Sequence, residues 1–123
     1  MLTVDVEKSE DVTVVRCGGR IVRGQAIRML RDTVISERET RIVVLDLSDV
    51  ETIDAGGLAA LVSLHHWTRS REIQLKLVNP SHFVREMLER TRLDQVFDIS
   101  SLHDALTVLG SDRPHQLRHA FCC

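Results

Sequence analysis

The chain has 123 residues, of which 43% are apolar and 28% charged, a composition typical of one globular domain with a substantial core. Its formal net charge of −2 gives no support for binding nucleic acid or an anionic membrane surface. No apolar run is long enough to cross a bilayer and the first residues do not resemble a signal peptide, so we expect no direct membrane insertion.

The cysteine content indicates the redox compartment. Three cysteines are an odd number and none shows C-x-x-C spacing, so a disulfide framework is not expected. A reducing cytoplasm is the simplest interpretation. Cys17 lies in an apolar run, and we interpret it as a small, inert core residue rather than a reactive thiol.

The N-terminal part is predicted to form two short strands and a helix. The strands cover Thr3–Glu7 and Val12–Cys17, with a hairpin turn at residues 8–11. Glycines at positions 18 and 19 are expected to end the second strand. The helix is predicted from Gln25 to about Glu37, because apolar residues recur there at helical spacing. Its charged residues Arg28, Arg31, Asp32 and Arg38 are interpreted as the solvated sides of that helix. The alternative is an arginine cluster that binds a phosphate or carboxylate.

The centre of the chain contains its most informative stretch. Ile42–Leu47 is an apolar run typical of a strand buried on both faces, and Ser48–Thr52 is a polar crossing after it. Asp54 is predicted to cap the next helix, Ala55 to about Ser70, by accepting hydrogen bonds from its first turn. Two glycines leave that turn almost without side chains, which suits an anion or the close approach of another protein backbone.

The central helix is expected to pack on the sheet through Leu58, Leu61, Val62 and His65. We interpret His65 as a half-buried histidine with satisfied hydrogen bonds rather than a base or ligand. The opposite face is predicted to carry Ala60, Ser63 and Trp67, so that the single tryptophan points away from the core. Two interpretations of this tryptophan stay open: a contact with a partner protein, or an indole lying over a neighbouring loop.

Further strands and helices alternate in the C-terminal part. A strand is predicted at Glu72–Val78, followed by a helix that is capped at Asn79-Pro80 and ends near Arg92. Val96–Ile99 is predicted to form the final strand. A capping pattern then opens a last helix, which ends at residue 110.

This alternation indicates a single α/β domain, residues 1–110, with a mixed sheet of about five strands and about four helices. Residues 111–123 are expected to form a flexible tail. Adjacent cysteines suit a single tetrahedral site poorly and terminal residues are usually frayed, so we expect no metal and no cofactor in this tail. Its potential soft ligands are His115, His119, Cys122 and Cys123.

The sequence contains no recognisable catalytic motif. There is no G-x-S-x-G elbow, P-loop lysine motif, H-E-x-x-H motif or Cys/His nucleophile pair. Asp54 has no second carboxylate in the pattern of an acid/base pair, and helix capping accounts for it. We therefore expect no catalytic residue and no enzymatic activity.

Three segments resemble a known family. The stretch D-L-S-x-V-x-x-I-D-A-G-G-L-A-A-L, the later L-x-L-V-N-P-S and the final L-D-x-V-F-D-I are similar to those of STAS domains, the fold of bacterial anti-sigma factor antagonists. The resemblance runs from about Val4 to about Leu109. It implies a protein-binding module of partner-switching signalling.

The resemblance also implies a phosphorylation site that this chain lacks. In the family, a Ser or Thr usually follows the loop aspartate and is phosphorylated by a kinase of the anti-sigma factor type. Ala55 stands at that position. The family commonly has Gly-Glu-Leu-Asp where this chain places Arg20 and Val22, so the local charge changes from acidic to basic.

From this resemblance we expect a partner-binding surface formed by Arg20, Val22, Asp54, Ala55, Gly56, Gly57 and Trp67. The expected partner is an anti-sigma-factor-type serine kinase or a signalling scaffold protein, and a homodimer is left open. Ser48 and Thr52 are the nearest hydroxyls and the candidate substitute phosphosites.

A second interpretation follows from other members of the family. Small STAS subunits sit on the ATPase of lipid-trafficking ABC transporters, and their loop is similar to Asp54-x-Gly56-Gly57-Leu58-Ala59. These relatives generally carry Thr where this chain has Ala55. Sulfate-transporter STAS proteins are excluded as whole proteins, because no segment of the sequence is predicted to span a membrane.

Overall fold

Five strands and three α-helices form the described part of the chain. The computed structural model describes residues 1–37 and 39–100. In chain order the elements are β1 (Leu2–Ser9), β2 (Val12–Ile21), α1 (Gln25–Ile35), β3 (Ile42–Ile53), α2 (Ala55–Ser70), β4 (Gln74–Val78), α3 (His82–Arg90), a short 3-10 helix (Leu93–Gln95) and β5 (Asp98–Ser100). The expected α/β class and five-stranded mixed sheet are confirmed. The predicted fourth helix and the tail, residues 101–123, lie outside the described residues.

The sheet has the strand order β1-β2-β3-β4-β5. β1 pairs with β2 in antiparallel orientation, whereas β2, β3, β4 and β5 are parallel. A helix lies between each parallel strand and the next, and each connection leads to the adjacent strand on the same side. Because such crossovers are right-handed, these helices lie on one face of the sheet. As a result, the carboxyl ends of β2 and β3 lie side by side, each followed by the start of a helix.

The main core lies between this face of the sheet and the helices. It combines strand residues such as Val15, Leu45 and Leu77 with helix residues such as Leu61 and Leu88, all fully buried. Alternate residues of the same strands form a smaller cluster on the opposite face. That second cluster consists of Val12, Val14, Val44 and Val78, with Ile42 packed against it.

Three strands are longer than the sequence predicted. β1 runs from Leu2 to Ser9, so the hairpin turn is confined to residues 10 and 11 rather than 8–11. Gly18 and Gly19 do not end β2; it continues to Ile21 with shifts of register beside both glycines. The predicted polar crossing at Ser48–Thr52 is also wrong. These residues belong to β3, and this part of β3 pairs with the end of β2. Pairing between neighbouring parallel strands satisfies the backbone there, so the strands persist through residues with low β-propensity.

The remaining boundaries differ by a few residues. α1 ends at Ile35 and β4 begins at Gln74, within the usual uncertainty of such assignments. The cap of α3 is wrong: Ser81 caps this helix, and Asn79 instead has a positive φ of 49° in the preceding turn. The last strand begins at Asp98, because a 3-10 helix occupies the segment before it.

Candidate functional site

Asp54 joins two loops at the carboxyl end of the sheet. Its Oδ1 accepts a hydrogen bond from the backbone N–H of Gly57 at 2.8 Å, which confirms the predicted cap of α2. Its Oδ2 accepts from the backbone N–H of Arg23, in the β2–α1 connection, at 3.0 Å. The backbone N–H of Asp54 in turn donates to the carbonyl of Ile21 at 3.3 Å. One carboxylate therefore fixes the start of α2 against the end of β2.

The charge of this carboxylate is stabilised by its hydrogen bonds. The backbone N–H groups of Arg23 and Gly57 lower the pKa of Asp54 below its ordinary value, and the nearby Arg23 charge lowers it further. Asp54 is consequently anionic at neutral pH. A carboxylate occupied in this way is suited to holding a loop rather than to exchanging protons with a substrate.

The first turn of α2 presents almost no side chains. Ala55 is exposed and follows the cap directly. At Gly57 a Cβ would lie 2.2 Å from the carbonyl oxygen of Ile21 and 2.7 Å from Cγ1 of Ile53, so only glycine fits. At Gly56 the space is limited less severely, by Cδ1 of Ile27 at 3.2 Å. The close packing beneath this turn leaves Ala55 as its outermost group.

The two residues predicted from the β2–α1 segment lie beside this turn. Arg20 is exposed near the end of β2 and pairs with Thr52 of β3, while Val22 is half-buried directly after the strand. Arg23 was not predicted as part of the site. It contributes through its backbone N–H, which every residue type except proline has. Only its position after a parallel strand next to β3 could therefore have indicated it.

Trp67 does not point away from the core, as the sequence had predicted. It is half-buried and packs against the main core, and the Arg71 guanidinium lies 5.4 Å from the centroid of its ring. Ala60, predicted on the same outer face, is 5% exposed. Trp67 lies about 18 Å along the helix from Ala55, so the structure does not bring it to the start of α2. Its role in partner binding stays a prediction.

The candidate substitute phosphosites lie on β3. Ser48 is exposed, and its hydroxyl donates to Oδ1 of Asp46 at 2.8 Å. Thr52 is half-buried opposite Arg20. Both hydroxyls precede the start of α2 on the strand, and their modification stays a prediction.

Two further titratable side chains have shifted pKa values. Burial, followed by the Asp46 charge, raises the pKa of Cys17 to about 12, which agrees with the inert thiol predicted. His65 is half-buried, as predicted, with its ring 5.4 Å from that of Phe97, and burial is the main cause that lowers its pKa. No group of three metal-ligating side chains occurs among residues 1–37 and 39–100. The His/Cys tail lies outside the described residues.

Comparison with known proteins identifies the family to which this site belongs. Residues 3–106 match the family profile of the STAS domain. The structure is similar to that of the unphosphorylated anti-sigma factor antagonist SpoIIAA from Bacillus, with a TM-score of 0.74 over 89% of this chain and 97% of that chain at 14% identity. At that identity the likeness shows the fold. The profile match over residues 3–106 confirms the resemblance noted in the sequence.

Two further sets of relatives extend the comparison. An anti-sigma factor antagonist from Mycobacterium paratuberculosis is 26% identical, with a TM-score of 0.69 over 88% of this chain and 93% of that one. Sulfate transporter 2.2 of Arabidopsis thaliana is 31% identical over 70 residues, 57% of this chain. Probable sulfate transporter 3.4 of the same plant is 32% identical over 63 residues, 51% of this chain. The chain spans about a tenth of the length of these two curated relatives, covering 10% of each.

None of the helices in the described ranges has the length and apolar character that a membrane crossing requires. The site consists of a capped helix start, a side-chain-poor first turn and the adjoining end of β2. Such an arrangement leaves mainly backbone and small side chains at the surface.

Proposed function

Because the chain belongs to the STAS domain family, we propose that it is a non-catalytic protein-binding module in bacterial partner-switching signalling. It would act like an anti-sigma factor antagonist that lacks the usual phosphorylatable residue. The observation that carries the proposal is the exposed Ala55 directly after the Asp54 cap. The 26% identity with an anti-sigma factor antagonist over 88% of the chain supports the choice of branch within the family.

The absent hydroxyl has a direct consequence for regulation. SpoIIAA has been solved in an unphosphorylated and a phosphorylated form. A phosphate adds nearly two negative charges and three acceptor oxygens, which would change any protein contact at a helix start. Alanine at position 55 accepts no phosphate, so we propose a contact that is constitutive, serves a scaffold, or is regulated elsewhere.

The proposed partner is a kinase of the anti-sigma factor type or a signalling scaffold protein, met in the cytoplasm. Asp54, Gly56 and Gly57 would shape the contact turn, and Arg20 and Val22 would border it. Ser48 and Thr52 are the nearest hydroxyls and the candidate substitute phosphosites. Stoichiometric phosphate on either hydroxyl after incubation with a partner kinase would contradict an unregulated contact.

The test is a pull-down from the native bacterial lysate with the wild-type chain, Ala55→Glu and Gln74→Glu. Gln74 is exposed at the start of β4, at the opposite end of the parallel strands from the contact turn, so the control adds the same charge away from the site. We expect mass spectrometry to identify a kinase or scaffold that Ala55→Glu loses and Gln74→Glu retains. Equal recovery by all three proteins would show that the start of α2 is not the contact surface.

A second candidate is a small STAS subunit bound to the ATPase of a lipid-trafficking ABC transporter. The loop similarity to ABC-transporter subunits supports it, and the 31% identity with part of a sulfate transporter agrees with a role beside a transporter. Recovery of a membrane transporter or an ABC ATPase in the same pull-down, without a kinase or scaffold, would favour this candidate over the first.

A further inference from the structure

Two segments next to the candidate site contain arginine as their only charged residue, although α1 as a whole also contains Asp32. Residues 20–31 and 55–71 contain six arginines and neither aspartate nor glutamate, although the whole chain has a net charge of −2. All six side chains are exposed. We call this set the basic face; it consists of Arg20, Arg23, Arg28, Arg31, Arg69 and Arg71.

The arginines of the basic face form no ion pair with any residue in the described part of the chain. Elsewhere in that part, four of the seven Lys and Arg side chains pair with a carboxylate: Lys8, Arg16, Lys76 and Arg90. The six guanidinium groups are thus available to a partner, which would not have to break an internal ion pair to bind them.

The basic face surrounds a strip of small side chains. α1 and α2 lie side by side, since Cβ of Arg23 and Cδ1 of Ile27 lie 3.4 and 3.2 Å from the position of a Cβ on Gly56. Arg31 follows Ile27 by one turn and therefore lies in the same row of α1. Along α2 the exposed residues at turn spacing are Ala55, Ala59 and Ser63. A partner segment could approach the backbone of α2 closely between the flanking arginines.

Acidic groups border this surface, but none of them forms an ion pair with its arginines in the described part of the chain. Both carboxylate oxygens of Asp54 accept backbone N–H groups, so that carboxylate is directed into the loop contact. The other bordering carboxylates are exposed: Asp32 lies one turn after Arg28 on α1, Glu72 follows Arg71, and Glu51 precedes Thr52, the residue that pairs with Arg20.

We propose that the basic face docks a carboxylate-rich segment of a partner protein. Guanidinium groups match carboxylates with two parallel hydrogen bonds, and arginine is enriched at protein interfaces. The inference rests on the proposed function, because it gives the chemistry of the partner bound at the same surface.

A protein segment fits this face better than nucleic acid or lipid. Apolar side chains lie close to the arginines along the chain, namely the half-buried Val22 and Trp67. Nucleic acid and anionic lipid bind proteins mainly through accumulated positive charge and need no apolar contact of this kind. A mixed apolar and guanidinium surface is typical of protein interfaces.

The test is a titration of the full chain with a synthetic twelve-residue peptide of alternating Glu and Ser, monitored by fluorescence. Trp67 is the single tryptophan and contacts Arg71, so its emission reports on this face. We expect Arg23→Gln/Arg31→Gln to raise the peptide Kd about tenfold. The control Arg41→Gln/Arg85→Gln removes the same charge at exposed positions outside the face and should change the Kd less than twofold.

Several results would overturn the proposal. These are no binding of the Glu peptide, equal binding of a Gln version, an equal loss in both double variants, and tighter binding of single-stranded DNA or of phosphatidylserine vesicles. The titration contains no kinase or scaffold, so it is independent of the pull-down. Peptide binding as expected, with no effect of Ala55→Glu in the pull-down, would refute the proposed function alone.

Discussion

Asp54 connects the sequence to the site at the scale of a single residue. Its two oxygens accept from backbone groups three and 31 residues away, so the same carboxylate begins α2 and fixes the β2–α1 connection. The near contact was predictable from helix capping. The distant one was not, because a backbone N–H contact depends on how strands are ordered in the sheet and not on side-chain type.

The lowered pKa of Asp54 predicts a pH-dependent stability. A carboxyl whose pKa is lower in the folded state stabilises that state fully above its unfolded pKa, and this contribution is lost as the pH falls through the folded pKa. We expect Asp54→Asn to lower the free energy of unfolding at pH 7 and pH 5. This difference from wild type should shrink when the pH falls below 3.8, the ordinary pKa of an aspartate. Urea unfolding at each pH measures the free energies.

A matched control separates this effect from that of net charge. Asp5 is an exposed carboxylate of β1, so Asp5→Asn removes the same charge far from α2. If the difference in unfolding free energy between Asp54→Asn and wild type stayed constant down to pH 2, the stabilisation by the capping carboxylate would not depend on its charge.

Trp67 shows where residue-scale prediction fails. Apolar residues occur around most of α2, so the periodicity that locates its buried side is weak. The buried face centres on Leu61, Leu64 and Thr68 rather than on the row that ends at His65. This rotation of the helix moves Trp67 to the edge of the core and exposes the row of small residues that begins at Ala55.

At the scale of elements, the sequence predicted which segments are strands and helices better than where they end. Both ends of α2 were correct, because a capping aspartate and a polar C-terminus define them. The ends of β2 and β3 were wrong, because the two strands satisfy each other's backbone across Gly18–Ile21 and Asp49–Ile53. Pairing over such a separation leaves no local signal in the sequence.

Ser81 gives an element-scale prediction. Its hydroxyl donates to the carbonyl of Val50 at 2.7 Å and accepts from the backbone N–H of Val84 at 3.4 Å, which ties the start of α3 to β3. Ser81→Ala removes a helix cap and leaves a part-buried carbonyl without this donor. We expect a loss of about 1–2 kcal/mol in the free energy of unfolding, measured by urea denaturation.

Ser70→Ala is the control for this measurement. The Ser70 hydroxyl also donates to a backbone carbonyl, that of Trp67 at 2.7 Å, but it is exposed at the end of α2. Its replacement should change stability by less than about 0.5 kcal/mol. Equal losses in the two variants would mean that the link from α3 to β3 contributes no more than a surface hydrogen bond.

At the scale of the whole molecule, the net charge and the charge distribution give different information. The net charge of −2 by itself gives no support for binding an anionic partner, whereas the basic face gathers six exposed arginines. Composition averages over the chain, whereas the fold brings residues 20–31 beside residues 55–71. The local concentration of positive charge could therefore be predicted only from the knowledge that α1 and α2 are neighbours.

This charge distribution predicts how association should depend on salt. Exposed charges raise association rates through long-range attraction, and the screening length falls from about 10 Å at 0.1 M to about 3 Å at 1 M salt. For the Glu/Ser peptide we expect the association rate constant to fall roughly tenfold over this range, with a smaller change in the dissociation rate constant. Stopped-flow fluorescence of Trp67 measures both. Arg23→Gln/Arg31→Gln should weaken the dependence of the association rate on salt, whereas Arg41→Gln/Arg85→Gln should preserve it. An association rate that does not change with salt would show that the six arginines do not attract the peptide.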